Sequence, residues 1–196
     1  MSQQYQRTLT RFIPQTVFLC LSLLFAVSAN AQKRDHLTDA ETDMVRYWQE
    51  LDKRTEVFIK AADRRWAIIN GAAQPAIKKA MKDEPDWGDV PKGTRAELLS
   101  DIAGILDEAI SNIDNAAGHN SKNPMLSRAL RKLNAAANNY VTQLNSLKAK
   151  TTAPDEVAAM ERINEEVQEI IQASGHLPAG AGEEQADDKG KKKKKP

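Results

Sequence analysis

Residues 124–149, "PMLSRALRKLNAAANNYVTQLNSLKA", carry the pattern from which the fold is read. Leu126, Leu130, Leu133, Ala137, Tyr140, Leu144 and Leu147 follow one another in alternating steps of four and three, without a break. That spacing keeps one face of an α-helix apolar, and no residue pair in the stretch alternates as a strand would. Asn123-Pro124 marks the start, because proline in a first turn lacks only an N–H that would have no partner there.

The same period recurs on both sides. Leu98, Leu99, Ile102, Ile105, Leu106, Ala109, Ile110 and Ile113 form a broad apolar arc, and Val157, Met160, Ile163, Val167, Ile170 and Ile171 form another. Three Thr-x-x-acid boxes (Thr38…Glu41, Thr94…Glu97 and Thr152…Asp155) predict helix starts, since hydroxyl and carboxylate each satisfy an orphan N–H. Gly71, Gly118 and Gly175 predict the stops. Four helices follow, at residues 39–70, 95–117, 124–149 and 153–174. The expected fold is all-α: a four-helix up-down bundle with a long first helix of about 48 Å. The helix at 95–117 is acidic, that at 124–149 basic, and that at 153–174 acidic again. Short loops and alternating charge predict that consecutive helices are antiparallel neighbours.

Two segments stand apart from this bundle. Residues 71–93, "GAAQPAIKKAMKDEPDWGDVPKG", are longer than the roughly 2–8 residues of ordinary bundle connections. A helical insert at Pro75 to Met81 is expected there, followed by a stiff turn presenting Trp87. From Leu177 the chain reads "LPAGAGEEQADDKGKKKKKP", a charge-blocked composition expected to be a disordered tail.

The first residues set the compartment. Arg7 and Arg11 precede an apolar run from Val17 to Val27, and Ala29-Asn30-Ala31 puts small residues where a signal peptidase reads. An apolar run this short falls below the roughly 20 residues of a spanning helix. The expected organisation is a signal peptide at 1–31 cleaved after Ala31, a helical domain at 32–176 and the charged tail at 177–196. The mature chain is therefore expected to be periplasmic or secreted, with no transmembrane span.

Cleavage removes Cys20, the one cysteine, and leaves 26 basic against 27 acidic residues. A near-neutral exported chain has no field to draw nucleic acid. Without cysteine it has no disulfide and no thiolate chemistry. His36, His119 and His176 lie far apart in predicted loops, and no Glu-x-x-His or His-Glu-x-x-His pair occurs. No catalytic, cofactor or metal residue is assigned, and a non-enzymatic protein is expected. A haem carrier using Met44 and His176, or another small-ligand or metal carrier using the bundle core, is the alternative.

What remains is the first helix. Met44, Trp48, Leu51, Thr55, Phe58, Ala62, Trp66 and Ile69 fall within an arc of about 80°, with Val57, Ala61 and Ile68 as a second strip. Arg54 and Arg65 lie on one line between the strips. Asp52, Lys53, Glu56, Lys60, Asp63 and Arg64 are assigned to a solvated face. A guanidinium in such a seam can bury its stem and reach a carboxylate on another helix, here Asp101, Glu108 or Glu165. Arg54, Arg65, Trp66 and Trp87 are thus the candidates for inter-helix pairing or a partner surface, since buried aromatics and arginines anchor interfaces. The partner expected is a protein, a second copy of this chain included. The lysine tail reads as a solubilising segment neutralised by Glu183, Glu184, Asp187 and Asp188, with contact to anionic envelope surfaces as the alternative.

The stretches "LDKRTEVFIKAADRRW", "PKGTRAELLSDIAGILDEAISNID" and "KNPMLSRALRKLNAA" resemble exported all-helical bacterial proteins of no known activity. That resemblance implies export and a helical fold, and brings no functional residue with it.

Overall fold

Thr38 and Thr94 begin their helices as their boxes require. Each hydroxyl accepts from the N–H of the glutamate three residues on, at 3.2 Å, and each glutamate accepts in return from the threonine N–H. The computed structural model describes residues 34–72 and 82–176. The chain divides into two units, Met1–Arg34 and Asp35–Pro196, and every described helix belongs to the second. Those helices are α1 (Asp39–Tyr47), α2 (Leu51–Ile69), α3 (Arg95–His119), α4 (Met125–Lys148) and α5 (Pro154–Ser174). No strand occurs among the described residues, so the fold is all-α, a helical bundle. None of these helices is long and apolar enough to cross a membrane. The expected signal peptide, the helical insert at Pro75 to Met81 and the charged tail lie outside the described residues.

One expectation fails at residues 48–50. The long first helix is two helices, because Trp48 leaves the helical region with φ −84° and ψ 104° and closes α1 by donating to the Met44 carbonyl. No glycine or proline causes the break. Arg54, one turn into α2, holds it: Nε donates to the Trp48 carbonyl at 2.9 Å and Nη2 to Gln49 Oε1 at 3.2 Å. A side chain thus supplies the donor that a continuous helix would have taken from its backbone. Farther along, α5 starts at Pro154 without a side-chain cap, so the Thr152…Asp155 box does not form. Gly118 lies inside α3 and Gly175 is right-handed, whereas Gly71 takes φ +65° as a left-handed stop.

The core lies along the predicted faces. Met44, Val57, Phe58, Ala61, Ala62 and Trp66 meet Leu99, Ile102, Ile105 and Leu106 of α3. Leu133, Ala137, Tyr140 and Leu144 of α4 and Met160, Ile163 and Val167 of α5 complete it. Of the consecutive pairs expected as neighbours, α2 with α3 and α4 with α5 pack closely, and α3 with α4 does not. α2 packs on α3 and α4, α5 packs on the same two, and the consecutive pair α3 and α4 touch least. The basic side chains of α4 accordingly reach α2: Lys132 Nζ donates to Asp52 Oδ2 at 2.9 Å and to Glu56, and Arg128 stands 3.8 Å from Asp52. The two acidic helices α3 and α5 lie against each other. Apolar burial is worth about 25 cal/mol per Å², and exposed ion pairs only about 0–1 kcal/mol, so the apolar faces decide the order.

Candidate functional site

The most concentrated chemistry in the described chain is a buried charge cluster at the second half of α2. Glu41 on α1 is fully buried, Arg65 is 1% exposed, and Arg64 and Asp101 are 4% exposed each. Arg65 grips the carboxylate side-on, Nη1 to Oε1 at 3.0 Å and Nη2 to Oε2 at 2.9 Å. Its remaining donors go to the Ala61 carbonyl at 2.8 Å, the His36 carbonyl at 2.6 Å and Asp101 Oδ2 at 3.4 Å. All five N–H groups of a guanidinium are thereby committed.

Arg64, assigned by its helical angle to the solvated face, is buried beside it. Nη1 donates to Glu41 Oε1 at 2.8 Å and to the Trp87 carbonyl at 3.0 Å. Nη2 reaches the Gly88 carbonyl at 3.4 Å and the Asp89 carbonyl at 2.6 Å. The segment 84–91 folds over this face of α2 and makes an interior of it. Trp87 is not presented to solvent as expected: it is 8% exposed, with the Arg64 guanidinium 5.7 Å and Lys60 Nζ 5.9 Å from its ring centroid. Gly88 allows the close approach. Its φ is +61°, and a Cβ there would lie 2.7 Å from that of Ala40.

Glu41 therefore has two tasks, capping α1 and neutralising both arginines. The capping pattern reveals the first task in sequence, and nothing local reveals the second. A further contact ties the chain before α1 to α3. His36 Nε2 lies 2.7 Å from Glu108 Oε2, and the ring packs on Gly104, where a Cβ would come within 3.0 Å of it. Glu108, considered as a partner for arginine, serves this histidine instead.

The other candidates separate. Trp66 is 2% exposed with its ring 6.0 Å from that of Tyr140. Arg54 is half-buried and sits at the α1–α2 break, its Nη1 3.5 Å from Asn112 Oδ1. Arg65 and Trp66 thus share the interior, Trp87 closes one flank, and Arg54 stands apart at the other end of α2. Met44 is fully buried in apolar surroundings and His176 is exposed beyond α5. Among the described residues no three His, Cys, Asp or Glu side chains are grouped so as to hold a metal ion.

Two aspartates of α2, also assigned to the solvated face, titrate in opposite senses. Burial pushes the Asp52 carboxyl up, but the hydrogen bond and charge of Lys132, with Lys53 and Arg128, prevail and hold it below its ordinary value. Burial raises Asp63, opposed by the Tyr140 hydroxyl, which donates to Oδ1 at 2.8 Å. A lowered carboxyl stabilises the fold above its unfolded pKa, and that contribution is lost as pH falls through the folded value. A raised carboxyl does the reverse: its charge opposes folding once pH rises through the folded value. Asp63→Asn is therefore expected to raise the melting temperature at pH 7. Melting curves measured downward in pH should converge with wild type as Asp63 itself becomes protonated.

No family model, curated protein or solved structure matches this chain.

Proposed function

We propose that this is an exported, non-catalytic helical-bundle protein that works by binding or scaffolding other proteins in the cell envelope. The observation that carries the proposal is the grip of Arg64 on three consecutive carbonyls, those of Trp87, Gly88 and Asp89. Loops carry binding function when a rigid scaffold positions them, and a loop fixed beforehand loses less entropy when a partner docks. Next to that grip stands Val90, 45% exposed and the large apolar side chain most open to solvent among the described residues. The partner is a protein, or a second copy of this chain, that covers residues 88–93.

Export rests on the basic, apolar and Ala29-Asn30-Ala31 grammar of residues 1–31, and separately on the resemblance of the helical stretches to exported helical proteins. On this reading cleavage follows Ala31 and the lysine-rich end serves as a disordered tail toward anionic surfaces. The helices α2 to α5 act as an up-down bundle. Supporting that direction, Arg54 and Arg65 of α2 meet Asn112 and Asp101 of α3 in reversed order. Asp52 and Asp63 meet Lys132 and Tyr140 of α4 in the same order.

A photo-crosslinking residue at Val90, compared with one at the exposed Ser146 on α4, tests the binding face in cells of the source organism. A discrete product from position 90 that weakens when Arg64→Met loosens the loop is expected. Equal patterns from both positions would overturn the assignment.

A further inference from the structure

At the α1–α2 break, away from the Arg64 loop, the chain forms an open cleft of about 430 Å³. That volume lies within the roughly 300–1,000 Å³ of small-molecule sites. Its walls come from the break itself (Gln49, Glu50 and Arg54), the end of α3 (Asn112, Asn115 and His119) and the start of α4 (Asn123). Leu51, Ala116 and Met125 supply apolar wall. We propose that this cleft binds a free α-amino acid with an apolar side chain, the Arg54 fork taking the carboxylate and Glu50 the ammonium.

The groups are arranged for such a zwitterion. Arg54 uses three of its five N–H groups on Trp48, Gln49 and Asn112, which fixes the fork in place and leaves two donors for a ligand. Planar donors held in this way suit a carboxylate better than a mobile ammonium does. Glu50 is the N-cap residue of α2 but makes no side-chain capping bond, and its carboxylate has no hydrogen bond or ion pair among the described residues. It lies one helical turn from Arg54, a separation of about 5–6 Å between side-chain origins. Opposite charges at that distance can face the two ends of an amino acid while its side chain turns to Leu51, Ala116 and Met125. His119 stands at the wall with Nδ1 2.8 Å from the Asn115 carbonyl, which can only accept, so that nitrogen carries a proton and Nε2 is the ring atom left for a ligand. A simple anion would use Arg54 and leave Glu50 as a repulsive neighbour, which is why a zwitterion fits better than a monoanion.

An amide NMR titration of the full chain with L-leucine, L-leucinamide and N-acetyl-L-leucine tests this assignment. L-leucine is expected to shift signals at residues 49–54 and 112–123 and to bind about 10-fold or more tightly than either derivative. Asn115→Trp, an exposed helical position on the wall, should abolish the shifts without lowering the melting temperature. Glu50→Gln should narrow the preference for L-leucine over N-acetyl-L-leucine while leaving that over L-leucinamide. No shift at millimolar L-leucine, shifts confined elsewhere, or equal binding of all three compounds would overturn the proposal.

Discussion

Replacing Glu41 with glutamine is expected to remove about 3–5 kcal/mol of folding stability, the effect of leaving buried charge without its counter-charge. The substitution keeps the volume of the side chain, so packing changes little. Electrostatics changes greatly: two guanidiniums, both nearly out of solvent, lose the carboxylate that accepts three of their hydrogen bonds and caps α1 as well. Asp101, 3.4 Å from Arg65 Nε, remains in contact with the pair. One face of the new amide would also point an N–H toward an arginine. Domains of this size are commonly stable by about 5–15 kcal/mol, so urea unfolding should show a large drop in midpoint. Arg65→Met made in the Glu41→Gln background should cost less than in the wild type, with a coupling of about 0.5–3 kcal/mol. A Glu41→Gln protein within about 0.5 kcal/mol of wild type would show that the cluster does not stabilise the fold.

How much of this was legible beforehand depends on the range of the interaction concerned. The boxes at Thr38 and Thr94 are contacts over three residues, and the pattern alone locates them. The apolar faces of α3, α4 and α5 are similarly local, and Leu99, Leu133 and Ile163 are buried where their spacing puts them. Arg65 stands in its seam and reaches Asp101 on α3. Arg64 shows where such reasoning stops. Consecutive helical residues point about 100° apart, so a face next to a core seam looks solvated until something covers it. What covers it is a segment more than twenty residues away, recognised through its carbonyls, which have no sequence signature. The break at Trp48 escapes for a related reason. Residues 47–51, "YWQEL", contain no helix breaker, and the interruption depends on a side chain from the following turn. Charge pairs α4 with α5 correctly but misplaces α3 beside α4, because burial of the apolar arcs of α3 and α5 outweighs the repulsion of their acids. That repulsion is still visible at Glu166, which is raised by burial and then by Asp107 across on α3, with Glu169 of its own helix adding to it.

Trp66→Ala is expected to cost about 3–5 kcal/mol, as large aromatic truncations in packed interiors do. Trp66 was a candidate partner anchor by composition, and its surroundings say otherwise: it is 2% exposed, tilted 32° against Tyr140, and part of the continuous core. An anchor for an outside partner would leave folding almost unchanged when truncated, whereas a core residue opens a cavity. The indole Nε1 has no hydrogen-bond partner among the described residues, so no polar contact is lost there with the ring and the effect is one of packing. Trp66→Phe should therefore fall well below the alanine variant in cost, because it removes volume but keeps the contact with Tyr140. A second readout separates a local cavity from general loosening. Burial, followed by the charge of Asp63 and the hydrogen bond to it, holds the Tyr140 hydroxyl well above its ordinary pKa. That raised value favours the neutral phenol in the fold, so alkaline pH destabilises the protein once it passes the ordinary tyrosine value. Water admitted by Trp66→Ala would ease the desolvation and bring Tyr140 down toward that value, visible as an earlier rise in ultraviolet phenolate absorbance. Phenylalanine at 66 should leave the titration near its wild-type position. Wild-type stability together with an unshifted Tyr140 titration in Trp66→Ala would remove Trp66 from the core and return it to the surface.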